Sequence, residues 1–156
     1  GAEAVVSICP DRVVKRRVRK TYRHPDLDHR LIHERTRAEA RLISESRRSG
    51  VPTPVIADIT GDAIIMERVT GPRLRDRLSP DLLRDAGRTV GRLHCAGIIH
   101  GDLTTCNMIV RNDRCVLIDF GLGFSSTELR PAEENSGNSG ELQATDSRRR
   151  DTATQR

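Results

Sequence analysis

Apolar residues recur in short groups along the first 124 residues, and their spacing predicts strands and helices. Clustered or alternating β-branched residues, as in AVVSI and RVVKRRV, are typical of strands. Turn residues between such groups predict three hairpins, centred on CPD, on TGD and on Asn112–Asp113. A three- and four-residue spacing of apolar positions predicts two helices, one after the first hairpin and one after the second.

The two predicted helices carry start and stop signals. The first has Pro25 at its start and Gly50 just past its end. The second has Ser79 as its N-cap and Pro80 at its first position, and Gly97 follows its last turn. The apolar stripes are expected at Leu27, Leu31, Ala38 and Leu42 in the first helix and at Leu82, Leu83, Ala86, Val90 and Leu93 in the second.

The chain changes character after Phe124. Residues 125–156 contain no Ile, Val, Met or aromatic residue and are rich in Ser, Thr, Gly, Glu and Arg. Such a segment cannot bury enough apolar surface to offset the entropy of ordering it. We therefore expect one folded domain at 1–124, followed by a disordered tail at 125–156.

Composition limits the kinds of partner and compartment. The 156 residues suffice for one ordinary domain, and a content of 2% aromatic residues predicts a modest, aliphatic core. The net charge of +5 favours anionic partners such as a nucleotide or RNA. Four isolated cysteines without C-x-x-C spacing fit free thiols in a reducing compartment, and no apolar run approaches membrane-spanning length.

The stretch IIHGDLTTCNMIV holds the clearest candidate chemistry. Asp102 and Asn107 lie there, and the following hairpin ends in IDFG, which contains Asp119. Three oxygen donors at strand ends and turns suit Mg²⁺ with phosphate oxygens completing its shell. D-x-x-x-x-N followed by D-F-G is also the catalytic-loop and metal-loop pair of protein kinases. Asp102 is thus predicted to orient or deprotonate the attacking hydroxyl or water, and Asn107 and Asp119 to hold the metal; plain turn and cap residues are the alternative.

A kinase-like site also requires a strand lysine and a helix carboxylate upstream. Lys15 ends the apolar RVVK run, and Glu39 shares a helix face with apolar neighbours, where a carboxylate is costly unless a cation meets it. We predict that Lys15 pairs with Glu39 and reaches the nucleotide phosphates. The alternatives are a surface Glu39 paired with Arg35 or Arg41, and Lys20 in place of Lys15.

Other residues are candidates for contacts with the nucleotide. In IIMERVTG, Met66 is expected at the back of an adenine pocket, with the backbone of Glu67 and Val69 bonding adenine; an ordinary strand end is the alternative. His94 and His100 are expected to brace the loop. The chain opens where a glycine-rich loop would lie, without the G-x-G-x-x-G pattern, and the candidates there are Gly1, Ala2, Glu3 and Ala4.

With these residues assembled, the chain resembles the atypical serine/threonine kinase family of the KEOPS complex, which is related to the RIO kinases. GAEA, VVKRRVRKTYRHPDLD, ERTRAEARLIS, GVPTP, AGIIHGDLTTCNMI and LIDFGLGF follow that family's pattern. The resemblance implies an α+β, two-lobed kinase-like fold with a small antiparallel sheet and a helix over about 1–68. A truncated helical C-lobe would occupy about 69–124.

The resemblance also implies a function. The expected enzyme uses ATP and Mg²⁺, autophosphorylates on serine or threonine, and acts mainly as an ATPase supporting threonylcarbamoyl-adenosine modification of tRNA. Its expected partners are a tRNA-modifying synthase subunit, to which it is often fused in archaea, and the other KEOPS subunits, with tRNA reached through the complex. A cytoplasmic location is expected, also nuclear in a eukaryote, with no membrane.

Some features depart from typical kinases or from the family. Gly101 and Thr104 stand where typical kinases carry Arg and Lys, and no A-P-E segment follows. The further C-lobe helices of the family are missing after GLGF, which is expected to expose the apolar face of the helix at residues 80–95. Two alternatives follow, a non-catalytic scaffold or an RNA-binding module whose basic run is Arg16, Arg17, Arg19, Lys20 and Arg23.

Overall fold

The computed structural model describes residues 4–126, and its first half is an antiparallel sheet with one long helix. β1 (Ala4–Ile8) pairs with β2 (Arg12–Arg17), and β3 (Ile56–Ile59) pairs with β4 (Ala63–Glu67), so the first two predicted hairpins are confirmed. The strand order is β1-β2-β4-β3, which makes β2 a neighbour of β4. Helix α1 (Pro25–Arg48) connects the two hairpins, as predicted.

The second half combines one helix with short strand pairs. Asn112 and Asp113 have φ angles of 52° and 57°, which a two-residue hairpin turn of type I′ requires, so the third hairpin is also confirmed. The elements in order are a 3-10 turn at Leu74–Asp76, α2 (Pro80–Cys95), β5 (Ile98–Ile99), a 3-10 turn at Thr105–Asn107, β6 (Met108–Arg111), β7 (Arg114–Leu117) and β8 (Phe124–Ser125).

Strand β8 extends past the predicted end of the folded domain. Ser125 pairs with Ile98, and the backbone N–H of Ser126 donates to the carbonyl of Gly97 at 2.7 Å. The boundary predicted at Phe124 therefore falls inside a strand, because backbone pairing holds residues whose side chains contribute little apolar surface. The rest of the predicted tail lies outside the described residues.

Helix α2 begins as its sequence predicts but buries a narrower stripe. The Ser79 hydroxyl accepts a hydrogen bond from the Leu82 backbone N–H at 3.2 Å, which confirms the N-cap. Leu82 and Leu93 are buried, whereas Leu83 is 51% exposed, so the expected exposure of the apolar face of this helix is seen at Leu83 but not at Leu82 or Leu93. Successive helical residues are about 100° apart, so Leu82 and Leu83 face different directions around the helix axis.

One hydrophobic core joins the two halves. The C-terminal part of α1 contributes Leu42 and Ile43, and these belong to the same cluster as the buried residues of α2 and the third hairpin. The other members are Val51, Leu74, Leu82, Ala86, Leu93, Ile98, Met108, Val110, Cys115, Leu117 and Phe120. The partly buried Ile56 of β3 packs against this cluster, so both the sheet and α1 are fixed to the second lobe through shared packing. Neither helix within residues 4–126 is long and apolar enough to cross a membrane.

Candidate active site

A single ammonium group joins three of the predicted residues. The Nζ atom of Lys15, on β2, donates to Oε1 of Glu39 at 2.6 Å and to Oδ1 of Asp119 at 2.5 Å. The Glu39 side chain is 1% exposed. The alternative of a surface Glu39 is therefore wrong, and residues from β2, α1 and the segment after β7 meet at one point.

Strand and helix periodicity explain why these side chains converge. Lys15 pairs with Ile64 of the central strand β4, and its side chain lies toward α1. Glu39 lies on the face of α1 that also buries Ile32 and Ile43, through seven- and four-residue spacings. A carboxylate in such a position is stable only with cations and donors around it.

Arg17 is a second cation on Glu39, and sequence reasoning placed it wrongly. Its Nη2 atom donates to Glu39 Oε2 at 2.7 Å, and its side chain is 6% exposed. The two-residue period of a strand puts Lys15 and Arg17 on one face, which is the signal that could have identified it. Arg16 lies on the other face and pairs with Asp62 at 2.6 Å, so the basic run does not form one solvated surface.

Asp119 is held in a charged, strained conformation. Burial opposes its negative charge, but the hydrogen bond and charge of Lys15 outweigh burial and hold the pKa of Asp119 below its usual value. Its φ of +65° is rare for a residue with a side chain, and such backbone strain is concentrated at functional sites. A Cβ added to Gly121 would lie 3.2 Å from Asp119 Oδ1 and 3.3 Å from Lys15 Nζ, so this glycine leaves room for their contact.

The loop between β5 and β6 brings Asp102 and Asn107 together. The Asn107 side-chain amide donates to the Asp102 carbonyl at 2.9 Å and to its Oδ2 at 3.0 Å. Because the amide nitrogen faces Asp102, the amide oxygen faces away from it. Asp102 is exposed, and Asn107 lies at the end of the 3-10 turn that leads into β6.

His100 braces this loop as a neutral imidazole. Its Nε2–H donates to the Ile118 carbonyl at 3.0 Å, and its Nδ1 accepts from the Asp102 backbone N–H at 3.3 Å. Burial lowers the pKa of His100, although the nearby carbonyl and carboxylates oppose this shift. The predicted brace is confirmed for His100, whereas His94 is exposed in the last turn of α2, outside the loop.

The backbone at Gly101 leaves no room for a side chain. Its φ is +82°, and a Cβ at this position would overlap the carbonyl oxygen of Leu122. The residue therefore cannot be the arginine that typical kinases carry here. The segment after Asp119 passes directly over the loop instead, which fixes the two motifs against each other.

The predicted adenine-pocket residues lie at the end of β4. Met66 is buried against Ala40 and Ile64. The Glu67 backbone N–H already donates to the Val55 carbonyl at 2.8 Å. The Glu67 side chain binds Arg111, and this ion pair outweighs burial and lowers the pKa of Glu67.

Val69 is buried just beyond β4. Of the opening segment, Ala4 lies in β1, paired with Arg17, rather than in a loop. Gly1, Ala2 and Glu3 lie outside the described residues.

Comparisons with known proteins identify the family to which the chain is similar. The family model described as RIO domain matches residues 10–129. A probable bifunctional tRNA threonylcarbamoyladenosine biosynthesis protein from Methanoculleus marisnigri is 63% identical over 129 residues, which are 83% of this chain and 24% of that protein. The probable serine/threonine-protein kinase BUD32 homolog of Archaeoglobus fulgidus is 47% identical over 131 residues, 84% of this chain and 67% of that protein.

Solved structures agree on the fold. The Rio2 kinase from Chaetomium thermophilum superposes with a TM-score of 0.67 at 21% identity, over 80% of this chain and 47% of that one. Monomeric WbdD gives a TM-score of 0.61 at 19% identity, over 80% of this chain and 33% of that one. At these identities the likeness establishes the kinase-like α+β fold alone.

The extent of the matches determines what they establish. The chain spans about a quarter of the length of the bifunctional relatives and 67% of the Archaeoglobus fulgidus protein. The family model covers most of the chain, and the sequence resemblance to RIO-related atypical kinases is confirmed. The chain belongs to the RIO-domain family.

Proposed function

We propose that this chain is an atypical kinase or ATPase that binds MgATP between the sheet and the loops of the second lobe. The observation that carries the proposal is the contact of Lys15 with both Glu39 and Asp119, at 2.6 and 2.5 Å. One cation placed between a buried carboxylate and a half-exposed one can interact with phosphate groups while remaining fixed by the fold. The family membership and the name of the Archaeoglobus fulgidus relative support the same activity.

The donor set suits magnesium with a phosphate ligand. Within residues 4–126, no three His, Cys, Asp or Glu side chains are arranged to hold a metal by themselves. Mg²⁺ is commonly bound through one or two protein oxygens, with waters and substrate phosphates completing its shell. The Asp119 carboxylate and the Asn107 amide oxygen fit that role, and a magnesium ion there would neutralise charge on the phosphates.

The remaining residues are proposed to position the nucleotide or to take part in proton transfer. Lys15 would donate to nucleotide phosphate oxygens, and Glu39 would orient it. Asp102, exposed at the loop surface and fixed by Asn107 and His100, would orient or deprotonate the attacking hydroxyl or water. Met66 and the backbone after β4 would line the adenine pocket.

The biological context is proposed from the relatives. Those from Methanoculleus marisnigri and other archaea are named for tRNA threonylcarbamoyladenosine biosynthesis. We infer that the chain supports this tRNA modification in the cytoplasm, together with a tRNA-modifying synthase subunit and the other KEOPS subunits. The positive net charge of the chain is compatible with a nucleic-acid partner.

ATP turnover by the 156-residue chain, with and without tRNA, tests the proposal. We expect Mg²⁺-dependent hydrolysis that Lys15→Ala and Asp119→Asn each abolish. Lys20→Ala is the matched control for the first substitution, because Lys20 is the other lysine of the chain. Asp113→Asn, in the exposed hairpin turn, is the control for the second.

The controls separate the possible outcomes. Equal turnover in the wild type, Lys15→Ala and Asp119→Asn would contradict the site assignment. A wild type that neither binds nor hydrolyses ATP, while retaining binding to the synthase subunit, would favour the scaffold alternative.

A further inference from the structure

Glu39 is bound by two cations, and the proposed reaction uses only one of them. Lys15 occupies Oε1 of the carboxylate and Arg17 occupies Oε2, at 2.6 and 2.7 Å. Both cationic side chains are largely buried, at 12% and 6% exposure. The proposed chemistry requires Lys15 at the phosphates but leaves the presence of Arg17 unexplained.

The charge balance indicates what Arg17 contributes. In the proposed role, Lys15 donates some of its N–H hydrogen bonds to phosphate oxygens instead of to Glu39. If Lys15 were the sole counterion of Glu39, each bond given to a phosphate would be taken from a carboxylate that water does not reach, which is costly. Because Arg17 remains on Oε2, Glu39 keeps a charged donor when the contacts of Lys15 rearrange.

Arg17 is also well placed to fix α1 against the sheet. Its backbone N–H donates to the Asp62 carbonyl at 2.8 Å, which holds the end of β2. Its Nη2 atom lies 3.5 Å from the carbonyl of Arg35, one turn before Glu39 on α1. One guanidinium group therefore meets both the backbone and the functional side chain of the helix.

We propose that Arg17 is a positioning residue that holds the buried Glu39 carboxylate in place, and so makes Lys15 available to nucleotide phosphates. The inference rests on the proposed function, since it concerns how the same site binds MgATP. The inference predicts an effect that depends on phosphate. Without Arg17, Lys15 remains bound to Glu39, and the affinity of the chain falls only for ligands that carry phosphate groups.

Calorimetric titration of the 156-residue chain with MgATP and with adenosine tests this inference. Arg17→Met is expected to weaken MgATP binding by about tenfold or more, since it removes a charge-assisted bond that supports Lys15. Adenosine affinity is expected to change by less than about twofold, because adenosine carries no phosphate for Lys15 to contact. Arg17→Lys, which keeps the charge, is expected to restore MgATP affinity to within about threefold of the wild type.

Arg16→Met is the matched control. Arg16 is the preceding residue of the same strand, but it lies on the opposite face, 58% exposed and paired with Asp62. This substitution is expected to change neither affinity. Circular dichroism checks that each variant is folded, and if Arg17→Met is not, Arg17→Gln is measured in its place with the same expectation, because it removes the charge but keeps a donor.

Three results would overturn the inference. MgATP binding by Arg17→Met that equals that of Arg16→Met would show that Lys15 does not depend on Arg17. Equal losses of MgATP and adenosine affinity would mean that Arg17 only maintains the fold. A wild type that binds no MgATP would overturn the proposed function and this inference together, whereas either of the first two results overturns the inference alone.

Discussion

Replacing Glu39 with glutamine is the most informative single perturbation of the fold. The amide has nearly the shape of the carboxylate but no charge, so Lys15 and Arg17 lose the counterion that they share, and Lys15 keeps only Asp119. Glutamine keeps one oxygen that can accept from one cation, while its NH₂ group must face the other, donor against donor. The structure thus loses at least one charge-assisted hydrogen bond, worth about 1.5–3 kcal/mol, and leaves a buried charge uncompensated.

The expected loss of unfolding free energy is about 3 kcal/mol, at the lower end of the range for breaking a buried ion pair. With a urea m-value of about 2 kcal/mol/M, the unfolding midpoint would fall by about 1.5 M. Urea titration at pH 7.5, followed by circular dichroism, measures this directly. Equal m-values for the wild type and the variant would show that the substitution changes stability and not the surface exposed on unfolding.

The same substitution elsewhere on α1 serves as the control. Glu45 has a side chain that is 40% exposed and lies 3.9 Å from Arg41, one turn away. Exposed pairs of this kind contribute little, so Glu45→Gln is expected to cost less than about 0.5 kcal/mol. A Glu39→Gln midpoint within experimental error of the Glu45→Gln midpoint would refute the argument that Glu39 compensates two buried cations.

Further predictions concern two glycines and one histidine. Gly101→Ala is expected to lower the unfolding free energy by about 2 kcal/mol or more, because its φ is positive and Leu122 occupies the space of the new methyl group. Gly87→Ala is expected to raise the unfolding free energy by about 0.5–1 kcal/mol, because Gly87 lies in the exposed middle of α2 with open space around it. Urea midpoints that shift in the same direction in both glycine variants would contradict this contrast. Stability is expected to fall as pH drops from 7.5 through about 6.5, because the unfolded chain takes up a proton that buried His100 does not. Thermal unfolding at pH 7.5 and 5.5 checks this: His100→Asn should reduce the difference and His94→Asn, at an exposed position, should preserve it.

Local signals in the sequence predict most of the elements. Asn112 and Asp113 adopt the positive φ angles of a hairpin turn, and the Ser79 hydroxyl caps the start of α2. Each of these signals acts only on residues within a few positions of it in the sequence. Their chemistry can therefore be interpreted without knowledge of the remaining fold. The exposure of Leu83 rather than Leu82 could not be predicted in the same way, because it depends on which face of α2 meets the third hairpin.

The pairing of Lys15 with Glu39 could be predicted because a carboxylate on an apolar helix face requires a cation. The part played by Arg17 was missed because 27 basic residues, nearly all arginine, make one buried arginine inconspicuous. The bond between Lys15 and Asp119 joins residues 104 positions apart, and no local pattern specifies such a distance. Gly101 was noticed as a departure from typical kinases, but its cause, the passage of Leu122 over the loop, is a tertiary contact.

The scarcity of lysine gives the interior position of Lys15 a practical consequence. The chain has two lysine side chains, and one of them is held between two carboxylates with 12% of its surface exposed. Acylating reagents must reach the amine, and both the Glu39 and the Asp119 carboxylates lie against Nζ of Lys15 in the folded chain. Labelling at Lys15 therefore reports whether the contacts between β2, α1 and Asp119 are intact, without the background of surface amines that obscures such measurements in lysine-rich proteins.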